Sequence, residues 1–184
     1  MTSAVDMGIK TVAVIGAGTM GAGIAQVCAQ AGWHTNLYDA FPEGLERGMN
    51  TIDAFWDKGI ARGKTTTDQK TEWSANLHAV SEMEDAVKNA DLVIEAVPEI
   101  PDLKHKIFTD LGNMTKEDCI LGTNTSSLSI ADIAAASGRP EKVIGMHFFN
   151  PVPIMKLLEL IKHDTCSDAT IAAATAAGVA MGKT

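Results

Sequence analysis

The sequence predicts an α/β fold built on a largely parallel sheet. Apolar runs of strand length alternate with helix-length segments along most of the chain. The first run, Thr11–Ile15, is rich in β-branched residues and is typical of a strand buried on both faces. Only the last two strands are joined by a short link that contains proline. Because that link is too short for a parallel crossover, we expect an antiparallel strand pair at the C-terminal end.

The predicted elements follow one another in a regular order. Strands are expected at 11–15, 34–38, 77–80, 91–97, the start of CILGTNTSSLSIADIAAA, 142–148 and 154–161. Helices are expected at 20–31, about 41–61 and about 101–114, after capping boxes Thr65-x-x-Asp68 and Ser81-x-x-Glu84, after the N-cap Ser129, and from Ser167 to the last residue. The polar stretch 62–75 is the best candidate for an exposed excursion.

Composition limits the class of protein. The 184 residues are 46 % hydrophobic and 21 % charged, with a net charge of -8, so we expect no nucleic-acid partner. The N-terminal residues MTSAVDMGIK lack the apolar segment of a signal peptide, and no apolar run is long enough to span a membrane. The three cysteines, far apart and without metal-ligand spacing, predict reduced thiols in a cytoplasmic protein, and we predict no metal site.

A glycine-rich loop follows the first strand. GAGTMG, residues 16–21, matches the pattern G-x-G-x-x-G between a buried strand and a helix. Gly16 permits a tight turn, Gly18 lets a pyrophosphate approach the backbone, and Gly21 lets the helix pack against the strand. With Thr19 and Met20 at the helix start, these residues predict a dinucleotide site, where the helix N-terminus offers free N–H groups.

An acid ends the second strand, 23 residues beyond Gly16 (39 − 16). The carboxylate of Asp39 would accept hydrogen bonds from both ribose hydroxyls of the adenosine and would repel a 2′-phosphate, which favours NAD over NADP. FAD uses the same loop pattern, but nothing later in the chain supports it. Together these features predict a Rossmann-type, doubly wound NAD-binding domain over residues 1–184.

One histidine and one glutamate stand out in the apolar stretch VIGMHFFNPVPIMKLLELI. If strands 142–148 and 154–161 pair about Pro153, His147 and Glu159 lie opposite each other, because (147 + 159)/2 = 153. Opposite side chains have Cβ atoms within roughly 5.5 Å, which is hydrogen-bonding reach for imidazole and carboxylate. Taken singly, the histidine can be a strand-end residue bonded to backbone, and the glutamate an outward-facing residue on an edge strand.

A carboxylate in that position would fix the histidine tautomer and make the ring a better general base. A general base beside a bound nicotinamide cofactor predicts a dehydrogenase. The base removes the proton of a substrate hydroxyl while hydride leaves the same carbon.

The motifs GAGTMGAGIAQ, DLVIEAVPE, NTSSLSI and HFFNPVPIMKLLE, in this order, resemble those of the L-3-hydroxyacyl-CoA dehydrogenases, including the bacterial 3-hydroxybutyryl-CoA dehydrogenases. The resemblance covers nearly the whole chain. It implies oxidation of an L-3-hydroxyacyl-CoA to the 3-oxoacyl-CoA, or the reverse, with NAD. It also implies that His147 is the catalytic base, Glu159 its partner, and Ser126 a residue that contacts the substrate and the nicotinamide end of the cofactor.

The resemblance adds four residues to the cofactor site: Glu99, Lys104, Asn124 and Asn150. Each also has a plain structural interpretation. Asn124 and Ser126 can cap the turn before Ser129, Lys104 can be an exposed helix residue, Glu99 a loop acid, and Asn150 a turn residue before proline. The basic side chains Lys58, Arg62 and Lys64 suggest a site for CoA phosphates, although none of the motifs shared with the family includes them.

In the resembling family an all-helical domain follows, forms the dimer interface and completes the active site. This chain stops at GVAMGKT, where the connection to that domain begins, so we expect that domain to be absent and full-length members to be homodimers. The chain is then either a fragment or a stand-alone NAD-binding half. Two alternatives remain open: a related dehydrogenase of sugar acids such as L-gulonate, and a non-catalytic NAD-binding module.

Overall fold

The structure, a computed structural model, describes residues 8–184. Residues 1–7, which include most of the segment that argued against a signal peptide, lie outside the described residues. Within residues 8–184 the chain forms seven strands and seven α-helices: β1 Thr11–Ile15, β2 His34–Tyr38, β3 Leu77–Val80, β4 Leu92–Glu95, β5 Ile120–Thr123, β6 Val143–Phe148, β7 Leu158–Ile161; α1 Thr19–Gln30, α2 Pro42–Ala61, α3 Thr67–Asn76, α4 Met83–Val87, α5 Pro101–Met114, α6 Ile130–Ser137 and α7 Asp168–Ala180. Among the described helices, none is both long and apolar enough to cross a membrane.

All seven strands belong to one sheet, in the order β3-β2-β1-β4-β5-β6-β7. Neighbouring strands are parallel except β6 and β7, which are antiparallel. The chain winds outward from β1 to β3 in one direction and from β4 to β7 in the other. The predicted Rossmann-type, doubly wound α/β fold is therefore confirmed. The direction of winding reverses between β1 and β4, which is where open α/β sheets bind ligands.

Strand β1 shows why the sheet is covered on both faces. Val12 and Val14 pack into a core shared with α1, α2 and α7, whereas Ala13 and Ile15 pack into a second core shared with α4, α5 and α6. All four side chains are fully buried. Burial of a Val or Ile side chain stabilises the fold by about 1.5–3 kcal/mol, so an apolar run without alternation is what a central strand requires.

The polar segment after α2 is helical for most of its length. Residues 67–76 form α3, in which no residue is buried, so the exposed excursion predicted at 62–75 is a surface helix. Its capping box lies one residue later than predicted: Thr66 and Gln69 form it, not Thr65 and Asp68. A glutamine side chain at this position reaches back to the N-cap N–H, which completes both halves of the box.

Two other helix ends differ from the prediction. Ser81 and Glu84 form no capping box, because α4 begins one residue later, with Glu82 at the N-cap and no side-chain cap. Helix α7 begins after Ser167 as predicted, but it ends at Ala180. Gly182 has a φ of 78° there, a conformation that suits glycine and closes the helix.

The C-terminal strand pair is shorter than predicted. β7 begins at Leu158, not at residue 154, because the N–H groups of Ile154 and Met155 both donate to the carbonyl of Pro151 and close a turn. Prolines in this segment also lack the N–H that a strand ladder needs. β4 likewise occupies only Leu92–Glu95 of the predicted 91–97.

Candidate active site

The carboxyl ends of the parallel strands open onto a cleft of about 1030 Å³. Its lining is mainly apolar, and it also includes ten of the thirteen predicted site residues: Gly16, Gly18, Thr19, Met20, Asp39, Glu99, Asn124, Ser126, His147 and Asn150. The other three do not line the cleft: Gly21 and Lys104 are buried, and Glu159 is half exposed on β7, opposite His147. The fold thus brings the separate sequence motifs to one place.

Three positions of the loop between β1 and α1 are glycine, and each has its own structural reason. Gly16 has a φ of 103°, and a Cβ there would lie 2.7 Å from the carbonyl oxygen of Ala96. A Cβ on Gly21 would lie 1.6 Å from the carbonyl oxygen of Gly16. A Cβ on Gly18 would meet nothing within 4 Å. Gly16 and Gly21 are therefore required by packing, whereas Gly18 leaves open space at the α1 N-terminus, as a bound pyrophosphate needs.

Asp39 follows β2 and is held beside this loop. Its Oδ2 accepts a hydrogen bond from Ala17 N at 2.8 Å, and its Oδ1 accepts one from Phe41 N at 2.9 Å. Each carboxylate oxygen has a further lone pair, so the side chain can still accept hydrogen bonds from a ribose. The open space at Gly18 and this fixed acid fit an NAD molecule.

The hairpin of β6 and β7 pairs the candidate base with the candidate acid. His147 lies opposite Glu159 in the register, as predicted. The distance from His147 Nδ1 to Glu159 Oε2 is 3.8 Å, which is an ion-pair distance but too long for a hydrogen bond. The histidine side chain is 22 % exposed and packs against the ring of Phe149, with ring centroids 4.5 Å apart.

A buried charge network lies directly behind the cleft. The Nζ of Lys104 is 2.8 Å from Glu95 Oε2 and 2.8 Å from Glu99 Oε1, and the side chains of Lys104 and Glu95 are 0 % exposed. Burial raises the pKa of the Glu95 carboxyl, against the opposing charge of Lys104. At Glu99 burial acts in the same direction, but hydrogen bonds from Lys104 and Thr125 outweigh it and lower the pKa. The idea that Lys104 is an exposed helix residue is therefore wrong.

The loop after β5 is fixed by its own side chains. Asn124 Oδ1 accepts a hydrogen bond from Phe148 N at 2.9 Å, which ties the loop to β6. The turn before α6 is capped by Thr125, whose Oγ1 accepts from Leu128 N, and Ser129 caps the helix as predicted. Ser126 is exposed on the cleft wall. The capping alternative for Asn124 and Ser126 is thus wrong.

Two predictions remain, one for the cofactor site and one for the CoA phosphates. Asn150 is exposed at the cleft and precedes a cis peptide bond to Pro151. Lys58, Arg62 and Lys64 are exposed around the end of α2 rather than on the cleft wall.

Two further residues, one on the cleft wall and one behind it, were not predicted from the sequence. Glu95 is the only charged residue in the apolar run 92–97, and that interruption was a usable signal. Phe41 is 71 % exposed and lines the cleft just beyond Asp39. An aromatic residue two positions after the candidate ribose acid was the signal in that case.

The doubly wound sheet, the glycine loop and the fixed acid after β2 define a dinucleotide-binding domain of the dehydrogenase class. Residues 11–184 match the family model described as 3-hydroxyacyl-CoA dehydrogenase, NAD binding domain. The chain belongs to this family. The predicted cofactor, NAD, is thereby confirmed.

Several proteins of similar sequence or structure are named 3-hydroxybutyryl-CoA dehydrogenases. The chain is 40 % identical to a probable 3-hydroxybutyryl-CoA dehydrogenase of Bacillus subtilis over 97 % of its own length and 62 % of the relative's. It is 41 % identical to a 3-hydroxybutyryl-CoA dehydrogenase of Bradyrhizobium diazoefficiens, over 95 % and 59 %. The crystal structure of (S)-3-hydroxybutyryl-CoA dehydrogenase from Ralstonia eutropha superposes with a TM-score of 0.92 at 41 % identity, over 95 % and 62 %. The chain therefore spans about three fifths of the length of these relatives.

Proposed function

We propose that the protein interconverts an L-3-hydroxyacyl-CoA and its 3-oxoacyl-CoA with NAD. The observation that carries the proposal is the His147–Glu159 pair beside a cleft whose opposite part fits NAD. A cofactor-binding module without chemistry needs neither side chain. The names of the similar dehydrogenases support the same reaction and an acyl-CoA thioester as substrate.

The proton is handled by the hairpin. Glu159 faces Nδ1 of His147, so Nε2 is the ring nitrogen that addresses the substrate. In the oxidative direction Nε2 takes the proton of the 3-hydroxyl as its O–H bond breaks, and the resulting imidazolium is stabilised by the Glu159 carboxylate. Bound NAD supplies the hydride acceptor for the hydrogen on the same carbon.

Other residues of the cleft bind and orient. Ser126 offers an exposed hydroxyl in the same cleft as His147 and orients the substrate oxygen. The cofactor is held on one side by Gly16, Gly18, Thr19, Met20 and Asp39, with Gly21 shaping the loop from within, and on the other by Glu99, Asn124 and Asn150, with Lys104 acting behind Glu99.

We also propose a reducing, cytoplasmic location. All three cysteines are free thiols. Burial raises the pKa of the Cys119 thiol to about 12, and burial raises the pKa of Cys28 as well, so neither is a reactive thiolate at neutral pH.

The test is a comparison of substrates with the 184-residue chain. NADH formation is followed with L-3-hydroxybutyryl-CoA, with free 3-hydroxybutyrate as the matched control that lacks CoA, and with L-gulonate. We expect turnover with the thioester alone, and NADH oxidation with acetoacetyl-CoA in reverse. NADH binding without turnover of any of these compounds would leave an NAD-binding module, and turnover of L-gulonate alone would indicate a sugar-acid dehydrogenase.

A further inference from the structure

We propose that Glu95 is a positioning residue for the loop of the cleft that carries Ser126, and that it acts through the Lys104 ammonium on Glu99. The assignment rests on the proposed function, since it concerns how that site is held in shape. Glu95 itself does not line the cleft, so its effect on a ligand is indirect.

Both carboxylate oxygens of Glu95 accept hydrogen bonds from other residues of the protein. At the carboxyl end of β4, its Oε2 accepts hydrogen bonds from Val97 N at 2.7 Å and from Lys104 Nζ at 2.8 Å, and its Oε1 accepts one from Thr123 Oγ1 at 2.6 Å. These partners belong to the loop after β4, to α5 and to β5. One carboxylate on β4, which borders the point where the sheet reverses its winding, therefore joins three segments.

Lys104 passes this constraint on to the cleft. Its three N–H groups meet Glu95, Glu99 and the carbonyl oxygen of Asn124, the last at 3.4 Å. No N–H remains for a ligand, and the side chain is 0 % exposed. The residue that Lys104 presents to the cleft is Glu99, whose side chain is 39 % exposed.

Glu99 then fixes the loop that carries Ser126. Its Oε2 accepts hydrogen bonds from Thr125 Oγ1 at 2.6 Å and from Ser127 Oγ at 3.3 Å. Ser126 lies between these two anchored residues and faces the cleft. The chain of contacts thus runs from Glu95 through Lys104 and Glu99 to the residues on both sides of Ser126.

A buried ion pair is weak evidence for a role in stability. Replacing such a pair by apolar residues of similar volume is often neutral or stabilising, whereas removing one partner is costly. A pair that only fills the core could therefore be replaced without consequence for a ligand. If the pair positions Glu99, its replacement should weaken the binding of a ligand. This difference in ligand affinity can be measured.

The experiment compares Glu95→Gln with the double variant Glu95→Gln/Lys104→Met. Dissociation constants are measured for NADH and for ADP, which lacks the nicotinamide half, and Tm is recorded for each variant. Asp91→Asn is the matched control, because Asp91 precedes β4 at the opposite end of the strand and holds Lys10 N, Thr11 N and Lys116. Asp91→Asn should lower Tm and leave both affinities unchanged.

We expect Glu95→Gln to raise the dissociation constant of NADH about tenfold and that of ADP by less than about twofold. In the double variant Tm should recover while the NADH affinity stays low. Where Glu95→Gln does not fold, Glu95→Asp, which keeps the charge and withdraws the carboxylate by one carbon, carries the same comparison. NADH affinity restored in the double variant, or equal losses for NADH and ADP, would overturn the assignment.

These binding measurements do not depend on turnover. If the wild-type chain fails to oxidise NADH with acetoacetyl-CoA, the proposed function fails, and the NADH and ADP affinities of the variants still decide the role of Glu95.

Discussion

At the scale of single residues, Glu159 separates two accounts of the hairpin. Its carboxylate faces the histidine ring at 3.8 Å but is half exposed on the edge strand β7. Glu159→Gln keeps the shape and removes the charge that stabilises an imidazolium. We expect kcat with L-3-hydroxybutyryl-CoA to fall about tenfold, or about 1.4 kcal/mol, with an unchanged KM. Steady-state kinetics measure both. An unchanged kcat would make Glu159 an ordinary surface residue.

Asp39 governs the choice of cofactor. Asp39→Asn removes the negative charge but keeps an oxygen that can accept from Ala17 N or Phe41 N. We expect NADH to bind about tenfold more weakly and NADPH to bind no worse, because the repulsion of a 2′-phosphate is gone. Fluorescence titration with both nucleotides measures the ratio. If the ratio of the two affinities does not change, Asp39 serves only to hold the loop.

At the scale of elements, the glycine loop offers a matched pair of substitutions. Gly18→Ala places a methyl group in open space, and its φ of -70° suits any residue. Gly21→Ala places one 1.6 Å from the carbonyl oxygen of Gly16. We expect Gly18→Ala to keep its Tm and lose NADH affinity, and Gly21→Ala to lose stability by roughly 1–3 kcal/mol or more. Thermal unfolding and NADH titration separate the two effects.

A Gly18→Ala variant that binds NADH as tightly as the wild type would mean that the pyrophosphate does not approach the backbone at this position. Loss of Tm in that variant would instead point to a packing requirement that the space around Gly18 does not show.

The same scale shows how far sequence patterns reach. The register of β6 and β7 was predictable because antiparallel pairing about Pro153 must place His147 opposite Glu159. The start of β7 was not predictable. It depends on two N–H groups that donate to the carbonyl of Pro151 instead of to a neighbouring strand. The alternation of apolar and polar residues does not determine which carbonyl accepts these hydrogen bonds.

At the scale of the whole molecule, the two ends of the parallel strands have different roles, one in binding and one in stability. The carboxyl edge forms the cleft, whereas Asp91 ties the opposite edge together by accepting from Lys10 N and Thr11 N and pairing with Lys116. Burial raises the pKa of Asp91, but the hydrogen bonds from Lys116 and from the two backbone groups outweigh it, so that the pKa is lowered. Its contribution to stability is therefore present above the ordinary value of 3.8 and is lost as the pH falls through the lower folded-state pKa.

We expect Asp91→Asn to reduce the free energy of unfolding by about 1–2 kcal/mol near neutral pH. The difference from the wild type should shrink as the pH falls below 3.8 and through the lowered folded-state pKa of Asp91, because the native carboxyl is then neutral like the asparagine side chain. Urea unfolding over a series of pH values measures it. A difference that stays constant into the acid range would contradict the linkage.

The buried network marks the limit of sequence reasoning for the molecule as a whole. Glycine spacing, the acid after β2 and the hairpin symmetry are local patterns, and each led to a residue that the fold brings to the cleft or to its wall. The contact of Glu95 with Lys104 depends on how α5 returns over the sheet, which no spacing rule states. The position of Lys104 inside the protein, and not on its surface, follows from that crossover.

The proposed mechanism assigns the proton transfer to His147 and the binding of the cofactor to other residues. Its most direct measurement is the turnover of His147→Gln with L-3-hydroxybutyryl-CoA, together with its NADH affinity. We predict a loss of about 10²–10⁴-fold in kcat, because the general base is gone, and an NADH dissociation constant within about twofold of the wild type. Turnover near the wild-type rate, or a loss of NADH affinity as large as the loss of turnover, would contradict it.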